Sequence, residues 1–286
     1  MVNKILFRQN ICKLRYKFSY MIFNFYKYQG TGNDFVILDN RQNTFPKNDT
    51  KFINYICDRR FGIGADGLML LENEPGYDFK MVYYNSDGNE STMCGNGGRC
   101  LVAFSKKIGI IDKEANFIAI DGPHYAKISH DNIVSLQMIN VAIAGIKVNS
   151  EYTFLDTGSP HHVEVVENID NFDVKNQGAK IRYSETYGEK GANVNFVEKV
   201  KDNEFRLRTY ERGVEDETLS CGTGATAAAI AMYHNKVANK EIIDLYVQGG
   251  QLRVTFNTDN NSYKNIFLIG PATFVFQGTI DQKEYA

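Results

Sequence analysis

The 286-residue chain reads as an α+β protein of two similar domains related by an approximate twofold. Three observations predict this. Short runs rich in β-branched and aromatic residues recur along the whole length. Segments with helical character are few. Two stretches match when aligned on a cysteine, Asn89-Glu90-Ser91-Thr92-Met93-Cys94-Gly95-Asn96-Gly97 and Asp216-Glu217-Thr218-Leu219-Ser220-Cys221-Gly222-Thr223-Gly224. The two cysteines stand 127 positions apart, the size of one ordinary domain, which is the signature of an internal duplication.

In chain order, residues 22–28 alternate as a strand does, followed by strand-like runs at 35–38, 67–71, 79–84 and 117–120. Later runs lie at 204–208 and 252–256. Helices are expected at 50–59, at 97–108 and in the alanine-rich run 224–233. A boundary between Met138 and Ile139 divides the chain into domains 21–138 and 139–270, although no Pro- or Ser-rich linker marks it. Residues 1–20 carry Lys4, Arg8, Lys13, Arg15 and Lys17 with no acidic partner and no apolar core of a signal peptide. They read as a disordered extension, with Met21 the natural first residue.

Composition removes several function classes. A formal net charge of −2 gives no general pull toward nucleic acid or anionic lipid. No stretch approaches the roughly 18 uninterrupted apolar residues of a membrane span. The five cysteines, Cys12, Cys57, Cys94, Cys100 and Cys221, are odd in number in a chain long enough to need no disulfide framework, which points to a reducing cytoplasm. Cys94 and Cys100 lack the histidine that would complete a zinc set, so no metal is expected. The glycine-rich turn 62–67 is not followed by a strand-helix-strand unit suited to a dinucleotide.

The chemistry is carried by the repeated Cys-Gly-x-Gly turn. A cysteine set just before a helix meets backbone amides and the positive end of the helix dipole, both of which favour thiolate. Taken singly, each cysteine reads equally well as a small core residue, and the pair alone leaves a redox couple open. Twice in one frame, the cysteines suggest an acid and a base facing one stereocentre from opposite sides, the requirement for racemising an α-carbon. Amides at two helix N-termini would then hold the substrate carboxylate. Tyr210-Glu211-Arg212-Gly213 sets an acid beside a base at a strand end, as a surface ion pair or as a clamp for an ammonium and a carboxylate.

With Gly32-Asn33-Asp34-Phe35, Gly62-Ile63-Gly64-Ala65-Asp66, Tyr84-Asn85-Ser86-Asp87-Gly88, Met93-Cys94-Gly95-Asn96-Gly97, Gly158-Ser159-Pro160-His161, Asn193-Val194-Asn195-Phe196, Tyr210-Glu211-Arg212-Gly213 and Ser220-Cys221-Gly222-Thr223-Gly224, the chain resembles the diaminopimelate epimerase family from about residue 21 to near its C-terminus. The resemblance implies cofactor-independent interconversion of LL- and meso-2,6-diaminopimelate, in lysine and peptidoglycan biosynthesis, with Cys94 and Cys221 as the acid–base pair. It further implies an active site in the cleft between the domains and a final segment, 271–286, that returns to the first domain. Asn33, Asn85, Asn193, Glu211 and Arg212 would hold the substrate. Gly95-Asn96 and Gly222-Thr223 would hold its reacting carboxylate, and His161 and Glu211 would influence the thiols. A cytoplasmic homodimer acting on a small amino acid, with no nucleic-acid or membrane partner, is the implied context.

Three departures from the family pattern stand out. Gly67 replaces a glutamine that often contacts the distal part of the substrate, Ser159 replaces a common asparagine, and the turn at 213–218 is one residue longer. A proline- or hydroxyproline-type racemase and a non-catalytic amino-acid-binding protein are the alternatives.

Overall fold

A computed structural model describes residues 21–285. The basic extension 1–20, including Cys12, lies outside the described residues. Four α-helices punctuate a continuous network of strands: α1 (Thr50–Cys57), α2 (Gly95–Lys107), α3 (Val174–Arg182) and α4 (Gly222–His234). Helices α1 and α3 open on aspartates, with Asp49 accepting the Phe52 amide and Asp173 that of Asn176. Such caps stabilise a helix by about 1 kcal/mol. Helix α1 stops earlier than its composition suggests, because the Asp58 carboxylate accepts the amides of Arg60 and Phe61 and turns the chain away.

Helix α3 is absent from the sequence reading. It is polar and carries Gly178 in its interior, a residue that costs helix stability. The compensation lies in packing, since a Cβ there would stand 2.4 Å from that of Tyr210.

The strand order explains the internal repeat. In the first half, the hairpin Ile22–Gly30/Asn33–Asp39 is followed by α1 and a parallel strand, Gly67–Glu72; this turns back as Phe79–Asn85, after which α2 leads to the parallel strand Glu114–Ala119. The second half repeats the path with Tyr152–Asp156/Pro160–Val165, α3, Asn193–Lys201, Glu204–Glu211, α4 and Ile242–Val247. Parallel neighbours require a long crossover, and each helix supplies one. The same connectivity run twice puts α2 and α4 in equivalent places.

Two pairings tie the halves together. Ile133–Gln137 runs antiparallel to Ser262–Pro271, and the last strand, Thr273–Asp281, runs antiparallel to the first, Ile22–Gly30.

Helices α2 and α4 run through the two largest cores. Every residue of α2 from Gly95 to Ser105 is buried, within a cluster that includes Phe35, Met69, Phe79 and Phe117. Helix α4 is buried along its alanine run against Leu155, Phe205, Leu245 and Leu268. A helix covered on all sides has no polar face, and alanine lets the surrounding strands approach its backbone closely.

Candidate active site

Local chemistry sets α2 and α4 apart from the other helices. Their N-caps are Cys94 and Cys221, both extended (φ −104° and −116°), and neither side chain makes a cap hydrogen bond. The amides of each first turn are thus left without the oxygen acceptor that aspartate supplies in α1 and α3. Those two turns face each other. A Cβ on Gly222 would lie 3.5 Å from the Gly95 Cα and 2.8 Å from the Leu268 side chain, so only glycine allows the helix ends to come this close. Two positive dipole ends therefore converge on one point, with first-turn N–H groups beside them, which makes an anion site.

Cys94 is half-buried, and its sulfur lies 3.6 Å from Asn33 Oδ1. The orientation of Asn33 is fixed at both ends: its Nδ2 donates to Asp66 at 2.6 Å, while its Oδ1 accepts from Asn96 Nδ2 at 3.2 Å. Asn96 also donates to the Ser220 carbonyl at 2.9 Å, across the seam between the halves. Burial pushes the Cys94 thiol pKa up, and the amides of Gly97 and Asn96 pull it down.

Cys221 is buried and lies 3.5 Å from Thr223 Oγ1. Burial raises its thiol pKa well above the ordinary value and the nearby Glu211 carboxylate raises it further, whereas Thr223 and the Gly224 amide oppose them. Glu211 accepts from the Thr218 hydroxyl and from Cys221; its own pKa is raised, chiefly by burial.

Glu211 and Arg212 form no ion pair with each other. Neighbours on an extended backbone point apart, and Arg212 instead donates to the Lys190 carbonyl at 3.1 Å and to Ser159 Oγ at 3.4 Å. Asn193 joins this group, donating to Ser159 Oγ at 3.0 Å and accepting the Arg212 amide at 2.9 Å. His161 is fully buried and lies 3.0 Å from Asn195 Nδ2. It makes no hydrogen bond to either sulfur. Asn85 ends its strand opposite Gly67, exposed and joined to none of the other site side chains.

The structure accounts for Gly67. A Cβ at that position would fall 2.5 Å from both the Tyr83 ring and the Tyr84 carbonyl, so Tyr83 occupies the space a longer side chain would need. Tyr83, Thr218, Thr31 and Ser220 were not singled out from sequence; Thr31 Oγ1 and Ser220 Oγ bridge the two halves at 2.7 Å. Cys57 and Cys100 are buried, and burial lifts both pKa values to about 12. Among the described residues no cluster of His, Cys, Asp and Glu suits a metal ion, and no helix is long and apolar enough to cross a membrane.

Two thiols of equivalent position, facing helix ends and a ring of amide, carboxylate and guanidinium groups can together hold a small zwitterion and move protons at its stereocentre. Comparison with known proteins gives a matching picture. The family model for diaminopimelate epimerase matches residues 25–142 and 153–275. A diaminopimelate epimerase of Flavobacterium psychrophilum is 62% identical over 89% of this chain and 99% of its own length. One from Chlorobaculum tepidum is 41% identical over 88% of this chain and 98% of its own. The fold extends further, to a phenazine biosynthesis protein of Bacillus anthracis with TM-score 0.69 at 14% identity, covering 91% of this chain and 99% of that one. The repeated cysteine turn, the duplicated path of the chain and the full-length likeness lead to one assignment: the chain belongs to the diaminopimelate epimerase family.

Proposed function

We propose that this chain interconverts LL- and meso-2,6-diaminopimelate by moving a proton at one α-carbon, with no bound cofactor. The observation that carries the reading is the approach of two cysteine-capped helix ends across a glycine contact. The substrate α-carboxylate sits on the amides of Gly95-Asn96 and Gly222-Thr223. One sulfur, as thiolate, removes the α-proton. The electron pair of the broken C–H bond is delocalised into the carboxylate, where the amides stabilise it. The other sulfur, as thiol, delivers a proton to the opposite face, and Cys94 and Cys221 exchange roles with direction.

Asn33, Asn85, Asn193, Glu211 and Arg212 hold the remaining ammonium and carboxylate groups, and His161 with Glu211 sets the electrostatics around the thiols. The working form is a cytoplasmic homodimer. The strand Thr273–Asp281 favours self-association: among the described residues it is paired on one side only, and it exposes Phe274, Val275 and Phe276. Sedimentation velocity checks this.

Turnover in deuterated water tests the reaction. Both stereoisomers should acquire solvent deuterium at the α-carbon as they interconvert; interconversion without label overturns proton transfer. Offering proline and hydroxyproline in parallel tests the substrate, because turnover of either in place of diaminopimelate would assign the chain to the racemase alternative.

A further inference from the structure

Asn195 has no role in the reading above, although it lies at the centre of the buried polar group behind Cys221. Both ends of its carboxamide are bonded. Oδ1 accepts from Thr209 Oγ1 at 3.1 Å, while Nδ2 donates to the His162 carbonyl at 2.9 Å and to His161 Nδ1 at 3.0 Å. The orientation of the amide follows from chemistry. A backbone carbonyl only accepts, so the atom facing the His162 carbonyl must be the nitrogen, and its two hydrogens serve His162 and His161. An amide N–H can point at Nδ1 only if Nδ1 carries a lone pair. His161 is therefore neutral, with its proton on Nε2.

That Nε2 is buried and, among the described residues, has no protein partner, and the ring is wholly enclosed. An N–H left over in such a place carries its full desolvation penalty unless something accepts from it. The position of Asn195 connects it to the reacting end of the site. A Cβ on Gly224 would fall 2.4 Å from Asn195 Oδ1 and 3.2 Å from the Cys221 sulfur, so one glycine separates this amide from the thiol. His161, Asn193 and Asn195 occupy one face of the sheet, in register across the pair Pro160–Val165 and Asn193–Lys201. Asn193 on that face is bonded to Ser159 and to the Arg212 amide.

We propose that Asn195 is a positioning residue: it locks His161 as the neutral Nε2–H tautomer and so reserves one fixed hydrogen-bond donor for a carboxylate of the bound substrate. An ammonium, which only donates, cannot take this place. His161 consequently acts as a neutral donor and not as a proton carrier. Burial, with Arg212 second, holds the pKa of His161 down to about 3 against the hydrogen bond to Asn195, in keeping with a neutral ring. The carboxylate assignment rests on the function proposed above, whereas the tautomer does not.

The test is nitrogen NMR of the free enzyme labelled at histidine, with His161→Gln identifying the signal. His161 should show a bare Nδ1 and a protonated Nε2 unchanged between about pH 5 and 9. A protonated Nδ1, or an imidazolium at neutral pH, overturns the lock. Asn195→Asp should place a carboxylate against Nδ1, move the proton there and bring ring titration and a new limb into the pH profile of kcat/KM. Thr209→Val, which frees the amide, should weaken the tautomer preference, and Thr209→Ser should restore it. A mere packing role would leave the pH profile and ring signals of Asn195→Asp as in the parent. Addition of a diaminopimelate isomer should shift the Nε2 signal; a signal that does not move on saturation overturns the donor role. If diaminopimelate is neither bound nor turned over while the free-enzyme tautomer stands, the functional reading fails and the lock survives.

Discussion

Cys94 and Cys221 cap equivalent helices in equivalent halves, yet their surroundings differ. Cys94 is half-buried and faces the neutral Asn33 carboxamide, whereas Cys221 is buried and faces the Glu211 carboxylate. The supporting residues differ in the same way. Asn33 is held by an ionic network, in which Asp34 meets Lys27 and Arg59 at 2.7 Å each and Arg59 also reaches Asp66. Glu211, beside Cys221, is held by the Thr218 hydroxyl. Duplication supplied two sulfurs at matched helix ends, and divergence of the flanking strands made their environments unlike.

The largest effect expected from breaking the pair is on turnover. Cys94→Ala and Cys221→Ala should each lower epimerisation by about 10³-fold or more, since general acid–base catalysis accounts for rates of that order. The serine variants should keep a trace. Full activity in either alanine variant, read from the stereoisomer ratio with time, refutes the assignment of two bases.

The ionic support of the first half is the next point to break. Lys27 is buried with Asp34 as its carboxylate partner, and it also donates to the Gly64 carbonyl. Asp34→Asn leaves that ammonium nearly unpaired, at a cost of about 3 kcal/mol. The pH dependence follows from sign. The pKa of Asp34 falls from 3.8 to about 2 in the folded chain, against opposing burial, because Arg59 and Lys27 bond its charged form. Its contribution is then present above the unfolded value and fades as pH falls from about 4 toward 2. Denaturant titrations of parent and variant should converge over that range. A constant gap would show that charge is not the cause.

A smaller asymmetry lies in the helix contact itself. A methyl on Gly222 would stand 2.8 Å from the Leu268 side chain and 3.6 Å from Asn96 Oδ1, whereas one on Gly95 meets Leu268 at 3.2 Å. Gly222→Ala should therefore cost about 1–3 kcal/mol of overpacking and raise KM more than Gly95→Ala does. Equal KM values in the two variants would show that the helix ends bear on the carboxylate symmetrically.

How much of this was legible in the sequence depends on whether a residue acts through its own chain neighbours or through residues distant along the chain. The cysteine frames are local, so they could be read directly, and with them the duplication and the α+β class. The helix starts at Gly95 and Gly222 were placed late, because glycine in a first turn looks like a loop when the facing helix that requires it is unseen. Gly67 read as a lost contact; Tyr83, on the neighbouring strand, fills the space. Glu211-Arg212 read as a possible pair, and only the strand geometry sends the two apart. Asn195 resembled any strand asparagine, since its three partners come from Thr209, His162 and His161.

The finest distinction between the halves is the order in which the thiols ionise. Glu211 raises the pKa of both, but only Cys221 shares a hydrogen bond with it. Glu211→Gln removes a negative charge and brings an amide N–H that can donate to the sulfur, and both changes favour thiolate. The pH at which iodoacetamide begins to alkylate each cysteine should therefore fall, more for Cys221 than for Cys94, as read by mass spectrometry of the two peptides. An equal shift at both would make Glu211 a shared charge. No shift at Cys221 would remove the carboxylate from the thiol's environment and leave burial alone as the cause of its weak acidity.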